Sequence, residues 1–162
     1  MATEAGPILA VIDCAADDAD VLAEAVWLAR AAQTHVLLVH VARPLGRGEL
    51  VDRAAHEIGF EQRLLRELQE LAERARSAGV AAQVEDLYFG DPATEVAYAA
   101  NRSRASAVVA ARRPPRFFGM FGWLSRDARL GRLLSIPLVL TGASARRALD
   151  AAQAPLALEP VR

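Results

Sequence analysis

Lysine is missing from all 162 residues, so the entire basic count is arginine. A phosphate loop of the Walker type needs a lysine amine to reach the β- and γ-phosphates, and Schiff-base chemistry needs a lysine nucleophile; both are excluded. There is a single cysteine, Cys14, which rules out an internal disulfide and a cysteine cage for a metal. The three histidines, His35, His40 and His56, show no ligand spacing. His35 and His40 fall on one expected strand, five apart, and so point to opposite faces. Apolar runs are short and broken by charge, so no membrane span is expected, and the first residues lack the basic start and apolar stretch of a secretion signal. A cytoplasmic protein is the expectation.

The composition that remains is that of an ordinary globular chain: 53% hydrophobic, 24% charged, net charge −1. The length suits one domain with a proper core, and the near-zero charge argues against a general nucleic-acid partner. The charge is unevenly spread. From Arg102 to Arg132 there are eight arginines and one acid, Asp127, whereas Asp13, Asp17, Asp18, Asp20 and Glu24 make an early acidic stretch.

Pro7 to Asp13 is a continuous apolar run ending in an acid, which predicts a parallel strand buried on both faces. Asp17 or Asp18 offers an N-cap to a helix carrying Val21, Leu22, Ala25, Val26, Leu28, Ala29 and Ala32, and Thr34 to Val41 predicts the second strand of a βαβ unit. Arg43 to Gly59, with Pro44, Gly46 and Gly48, reads as a loop with room for a short helical turn. Phe60 to Ala78 predicts a helix through the stripe Phe60, Leu64, Leu65, Leu68, Leu71, Ala72 and Ala75, with Gly79 as its stop. Ala81 to Phe89 alternates as a strand near a sheet edge. Asp91 and Pro92 open a third helix as N-cap and first helical residue. Ala105 to Ala111 predicts a buried strand, Leu130, Leu133 and Leu134 a short helix starting from Ser125, and Ile136 to Thr141 a closing strand. Five strands alternating with four helices predict an open, doubly wound α/β sheet over residues 1–141, followed by a C-terminal extension over 142–162.

This order and spacing resemble the universal stress proteins over roughly residues 7 to 141. The strand ending in Asp13, the helix over Ala25 to Arg30, the strand ending in Val39-His40-Val41, the Gly90-Asp91-Pro92 turn and the Pro137-containing last strand carry the resemblance together. It implies an adenine nucleotide alpha-hydrolase-like sheet of strand order 3-2-1-4-5, a crevice for ATP or related adenine nucleotides such as AMP, and a homodimer formed through the last strand, Pro137 to Thr141. In nucleotide-binding relatives the position of Asp13 approaches the adenosine moiety and that of Val41 meets the adenine. Their phosphate loop has three glycines and then Ser or Thr; here the glycine positions fall on Ala111, Pro114 and Leu124, and only Ser125 matches. A gapped alternative through Gly119, Gly122 and Gly131 misses by one residue and falls inside the last helix. Pro114 and Pro115 also remove N–H donors that a phosphate cradle uses. The resemblance therefore implies a divergent member whose ordinary ATP mode is lost. No cofactor is certain, and no paired carboxylates or nucleophile with a base point to an enzyme.

Two features compete for a function in its place. Arg112, Arg113 and Arg116 follow the fourth expected strand at its carboxyl end, where guanidinium forks can hold an anion without a backbone cradle; a solvated basic loop explains them equally well. Asp13 has a structural reading too, as a cap on the following turn, and Val41 can be a plain strand residue. Phe117, Phe118, Phe121 and Trp123 crowd a loop, and such a run needs a cover. It can plug the vacated crevice, meet a subunit or an unknown protein partner, or touch a membrane surface, the last being the least favoured.

Overall fold

The computed structural model describes residues 5–42, 53–85, 88–113 and 126–142. The chain forms β1 (Ile8–Val11), α1 (Asp18–Ala31), β2 (Val36–Val39), β3 (Val41–Ala42), α2 (Arg53–Ser77), β4 (Ala82–Val84), β5 (Tyr88–Phe89), α3 (Pro92–Arg102), β6 (Ala107–Ala111), α4 (Arg126–Leu133) and β7 (Leu138–Thr141). Five of the strands make one parallel sheet in the order β4-β2-β1-β6-β7. Counting only these five along the chain reproduces the expected order 3-2-1-4-5. Ile8 sits beside both Val36 and Ala107, which makes β1 the central strand.

Alternation along the strands divides the core in two. Ile8, Ala10, Val36, Leu38, Val109 and Ala111 face α1 and α2, packing on Val21, Ala25, Leu64 and Leu68. Leu9, Val11, Leu37, Val39, Val108 and Ala110 face the other way, onto Val96 and Ala100 of α3 and Leu130 of α4. All four residues of β1 are buried, as the unbroken apolar run requires of a strand covered on both sides.

Two expected elements are longer or more divided than the sequence suggested. The helix expected from Phe60 begins at Arg53, inside the expected loop. Arg53 to Ile58 contains no proline, and a single glycine inside a helix, here Gly59, costs only about 1 kcal/mol, less than the packing of a long helix supplies. The strand expected over Ala81 to Phe89 is split: β4 is the edge of the main sheet, while β5 pairs with β3 in a separate two-stranded parallel sheet. The chain leaves β2 at His40, whose Nδ1 lies 2.7 Å from the carbonyl oxygen of Ile12. That buried ring satisfies the carbonyl just past the end of β1, so the second strand stops there.

The expected helix signals at Gly79 and Asp91 are present. Gly79 has a φ of 81° after α2, a conformation that favours glycine at a helix end. Asp91 caps α3, accepting hydrogen bonds from Thr94 N at 3.0 Å and Thr94 Oγ1 at 2.8 Å, with Pro92 following it. Gly6 is fixed by packing: a Cβ at that position comes 1.9 Å from the carbonyl oxygen of Arg104. The expected Ser125 cap and the C-terminal stretch from Ala143 lie outside the described residues.

Candidate functional site

In an open α/β sheet a ligand crevice forms outside the carboxyl ends of the strands, where the strand order reverses. Here the reversal lies between β1 and β6. Three segments border it: the β1–α1 loop with Asp13 to Asp17, the end of β6 with Arg112 and Arg113, and the start of α4 with Arg126 and Asp127.

An ion cluster joins these segments. A single oxygen, Asp13 Oδ2, accepts hydrogen bonds from Arg113 Nε at 3.1 Å, Arg113 Nη2 at 2.8 Å and Arg126 Nη1 at 2.7 Å. Arg113 also forks onto Asp17, with Nη1 to Oδ2 at 2.8 Å and Nη2 to Oδ1 at 3.2 Å. The backbone N–H of Arg113 donates to Asp127 Oδ2 at 2.9 Å, and Arg126 Nη2 donates to the Ala111 carbonyl at 2.7 Å. Burial alone would raise the pKa of the Asp13 carboxyl, but the hydrogen bonds and charge of Arg126, followed by those of Arg113, hold it below the usual carboxylate value.

Asp18 performs the turn-capping that the sequence offered to Asp13. Its Oδ1 accepts from Asp13 N at 3.1 Å and its Oδ2 from Ala15 N at 3.0 Å, shaping the β1–α1 loop. Burial pushes its pKa up; the two backbone hydrogen bonds oppose this, and the charges of Asp13 and Asp17 add to the rise. Asp17 is the N-cap position of α1, but its side chain makes no capping bond because it is turned to Arg113.

Cys14 is exposed and left-handed, with φ at 56°. Its Sγ lies 3.8 Å from His40 Nδ1, superficially a nucleophile with a base. The chemistry is wrong for that. His40 Nδ1 already lies within hydrogen-bond distance of a carbonyl oxygen, which requires this nitrogen to carry the proton. The thiol, moreover, is pushed up to about 12, first by burial and then by the charges of Glu67, Asp18 and Asp13 and a hydrogen bond with Glu67. An activated nucleophile needs the opposite shift.

The remaining expected residues are placed as follows. Arg112 is exposed at the end of β6, its backbone N–H on the Thr141 carbonyl. Val41 is partly buried in β3 and packs against the α3–α4 side of the core. Arg116, Phe117, Phe118, Phe121, Trp123 and Ser125 lie outside the described residues. Arg126, Asp127 and Asp17 were not singled out as site residues from the sequence. The signal for them was present as the single acid among eight arginines and the early acidic stretch, two opposite charge excesses that meet here.

Among the described residues no group of three or more His, Cys, Asp or Glu is arranged to hold a metal, and no helix is long and apolar enough to cross a membrane. Fold and crevice together define an open doubly wound α/β protein with its candidate site at the β1–β6 switch. The model of the universal stress protein family matches residues 5–142, and the chain belongs to that family, which places it among stress-response proteins. No curated protein matches the sequence. Among solved structures, a universal stress protein from Burkholderia pseudomallei is 23% identical, with a TM-score of 0.68 over 88% of this chain and 100% of its own. One from Lactobacillus plantarum is 12% identical, with a TM-score of 0.69 over 86% of this chain and 99% of its own. One from Archaeoglobus fulgidus, solved in complex with dAMP, is 20% identical, with a TM-score of 0.59 over 85% of this chain and 98% of its own. A further universal stress protein was solved in complex with cAMP.

Proposed function

We propose that this chain is a non-enzymatic regulatory member of its family that acts through a homodimer and a protein partner, and that its switch-point crevice does not take ATP in the ordinary way. The observation that carries this reading is the occupation of Asp13: three hydrogen bonds from Arg113 and Arg126 converge on its Oδ2. A nucleotide that needs this oxygen must first displace two guanidinium groups. The local charge adds to the argument. Among the described residues of the crevice, Asp13, Asp17, Asp18 and Asp127 outnumber Arg112, Arg113 and Arg126, so the local charge disfavours a polyphosphate. Pro114 and Pro115, with no N–H to donate, stand where a phosphate cradle would begin.

A second reading is favoured by the exposure of Arg112 at the carboxyl end of β6 and by the two relatives solved with cAMP and dAMP: an adenine-nucleotide sensor that uses arginines in place of glycines. Calorimetric titration of the full chain with ATP, AMP and cAMP separates the two. No saturable heat is expected. Saturable binding that an Arg112→Ala/Arg113→Ala variant loses overturns the first reading and establishes the second.

A further inference from the structure

The main sheet ends in β4 on one side and β7 on the other, and a bare edge strand is a template on which another chain can pair. In β4 the Ala81 carbonyl accepts from Val36 N, and Glu85 N donates to the Leu38 carbonyl. Gln83 lies between these two bonds, opposite Leu37. Alternation along the ladder then turns the backbone groups of Ala82 and Val84 to the outer side.

The outward carbonyl of Ala82 is covered by a side chain. Arg76, in the last turn of α2, donates to it from Nε at 3.1 Å and from Nη2 at 2.7 Å, while its Nη1 reaches Glu73 one turn earlier. The Arg76 side chain is 45% exposed, so the fork stands between the strand and solvent rather than inside the core. Water can satisfy a carbonyl on a sheet edge. What the guanidinium adds is a charged and bulky cover at the position where a further strand would dock.

We propose that Arg76 is an edge guard, which keeps a second copy of this chain from pairing its own β4 antiparallel to this one across a two-fold axis. The occupant follows from the register. In that pairing the outward N–H and C=O groups of Ala82 and Val84 meet those of the same two residues, and Arg76 of each copy lies on an acceptor that the other needs. Assembly is thereby confined to surfaces other than β4, and a contact made elsewhere does not extend into an open chain of copies. The guard rests on the β4 edge alone and goes beyond the function proposed above.

Sedimentation velocity and amide hydrogen exchange on the full chain test it together. An ionic strength of about 0.15 M keeps Glu73, once freed of its partner, screened. Arg76→Met retains an unbranched apolar stem and removes the fork. Its weight-average mass should rise about twofold or more over wild type at equal concentration. The outward amides of Ala82 and Val84 should exchange about tenfold or more slower than in wild type. A mass equal to that of wild type overturns the guard. So does a larger mass with those two amides exchanging as in wild type, since association then uses another surface. Should Arg76→Met fail to fold, Arg76→Gln, which also lacks the fork, decides by the same thresholds.

Discussion

At the scale of single residues, the crevice shows how neighbours reverse the chemistry that a side chain advertises. Cys14 lies near a histidine, yet partial burial first, and then Glu67, Asp18 and Asp13, hold its thiol up at about 12. Because the thiolate is the reacting form, alkylation by iodoacetamide at pH 8 should run on the order of a hundredfold or more slower than for a free cysteine; a rate near that of free cysteine would remove the electrostatic account. Asp13 is the converse case. Its pKa in the folded chain lies below the 3.8 of an unperturbed aspartate, so the unfolded chain takes up the proton first. The stabilisation is therefore complete above about pH 5 and is lost as pH falls through 3.8 and then through the lower folded value. Wild type should exceed Asp13→Asn by about 2 kcal/mol at neutral pH, and that gap should shrink in denaturant titrations below about pH 4. A gap that stays constant down to pH 2 would mean that the carboxylate charge is not what matters.

Among the elements, α3 and α4 are joined at Asp91, whose N-cap role is legible in the sequence and whose pairing with α4 is not. Asp91 caps α3 through Thr94 and also receives Arg129 of α4, whose Nη1 and Nη2 lie 2.7 and 2.9 Å from its two oxygens. The cap is worth about 1 kcal/mol and the ion pair, being half exposed, less than that. Asp91→Ala should cost about 1–2 kcal/mol in urea unfolding, with Asp91→Ser restoring the cap share only; a loss below about 0.3 kcal/mol would show that the cap is idle. Elements of this kind were legible because their signals are local: an Asp-Pro start, a glycine stop, an unbroken apolar run. The split of β4 from β5 was not legible, since residues 81–89 carry one alternating pattern whether they pair with β2 or with β3. The early start of α2 was hidden for a similar reason, because Gly59 reads as punctuation until its outward position is known. The ion cluster was half legible. Both charge excesses stand in the sequence, but the pairing of Asp13 with Arg113, a hundred residues on, is set by the strand order alone.

On the scale of the whole molecule, the open question is what meets the β7 side of the sheet. β7 is the terminal strand of the order β4-β2-β1-β6-β7, and Leu138, Val139 and Leu140 are each only partly buried. The Pro137 and Thr141 carbonyls accept from Val108 and Arg112 of the β6 side. Strand alternation then turns the backbone groups of Val139 toward β6 and those of Leu138 and Leu140 toward the open edge. An edge with no strand partner among the described residues, carrying partly buried leucines, suits a second copy of the same strand across a two-fold axis, the homodimer expected through Pro137 to Thr141. The geometry allows a controlled test. Leu140→Pro removes an outward N–H without touching the β6 ladder, whereas Leu140→Ala trims the same side chain and leaves that N–H in place. In sedimentation velocity the wild type and Leu140→Ala should run as dimers and Leu140→Pro as a monomer. A monomeric wild type, or a proline variant as dimeric as the alanine one, would move the subunit contact away from this edge and leave β7 available to another partner.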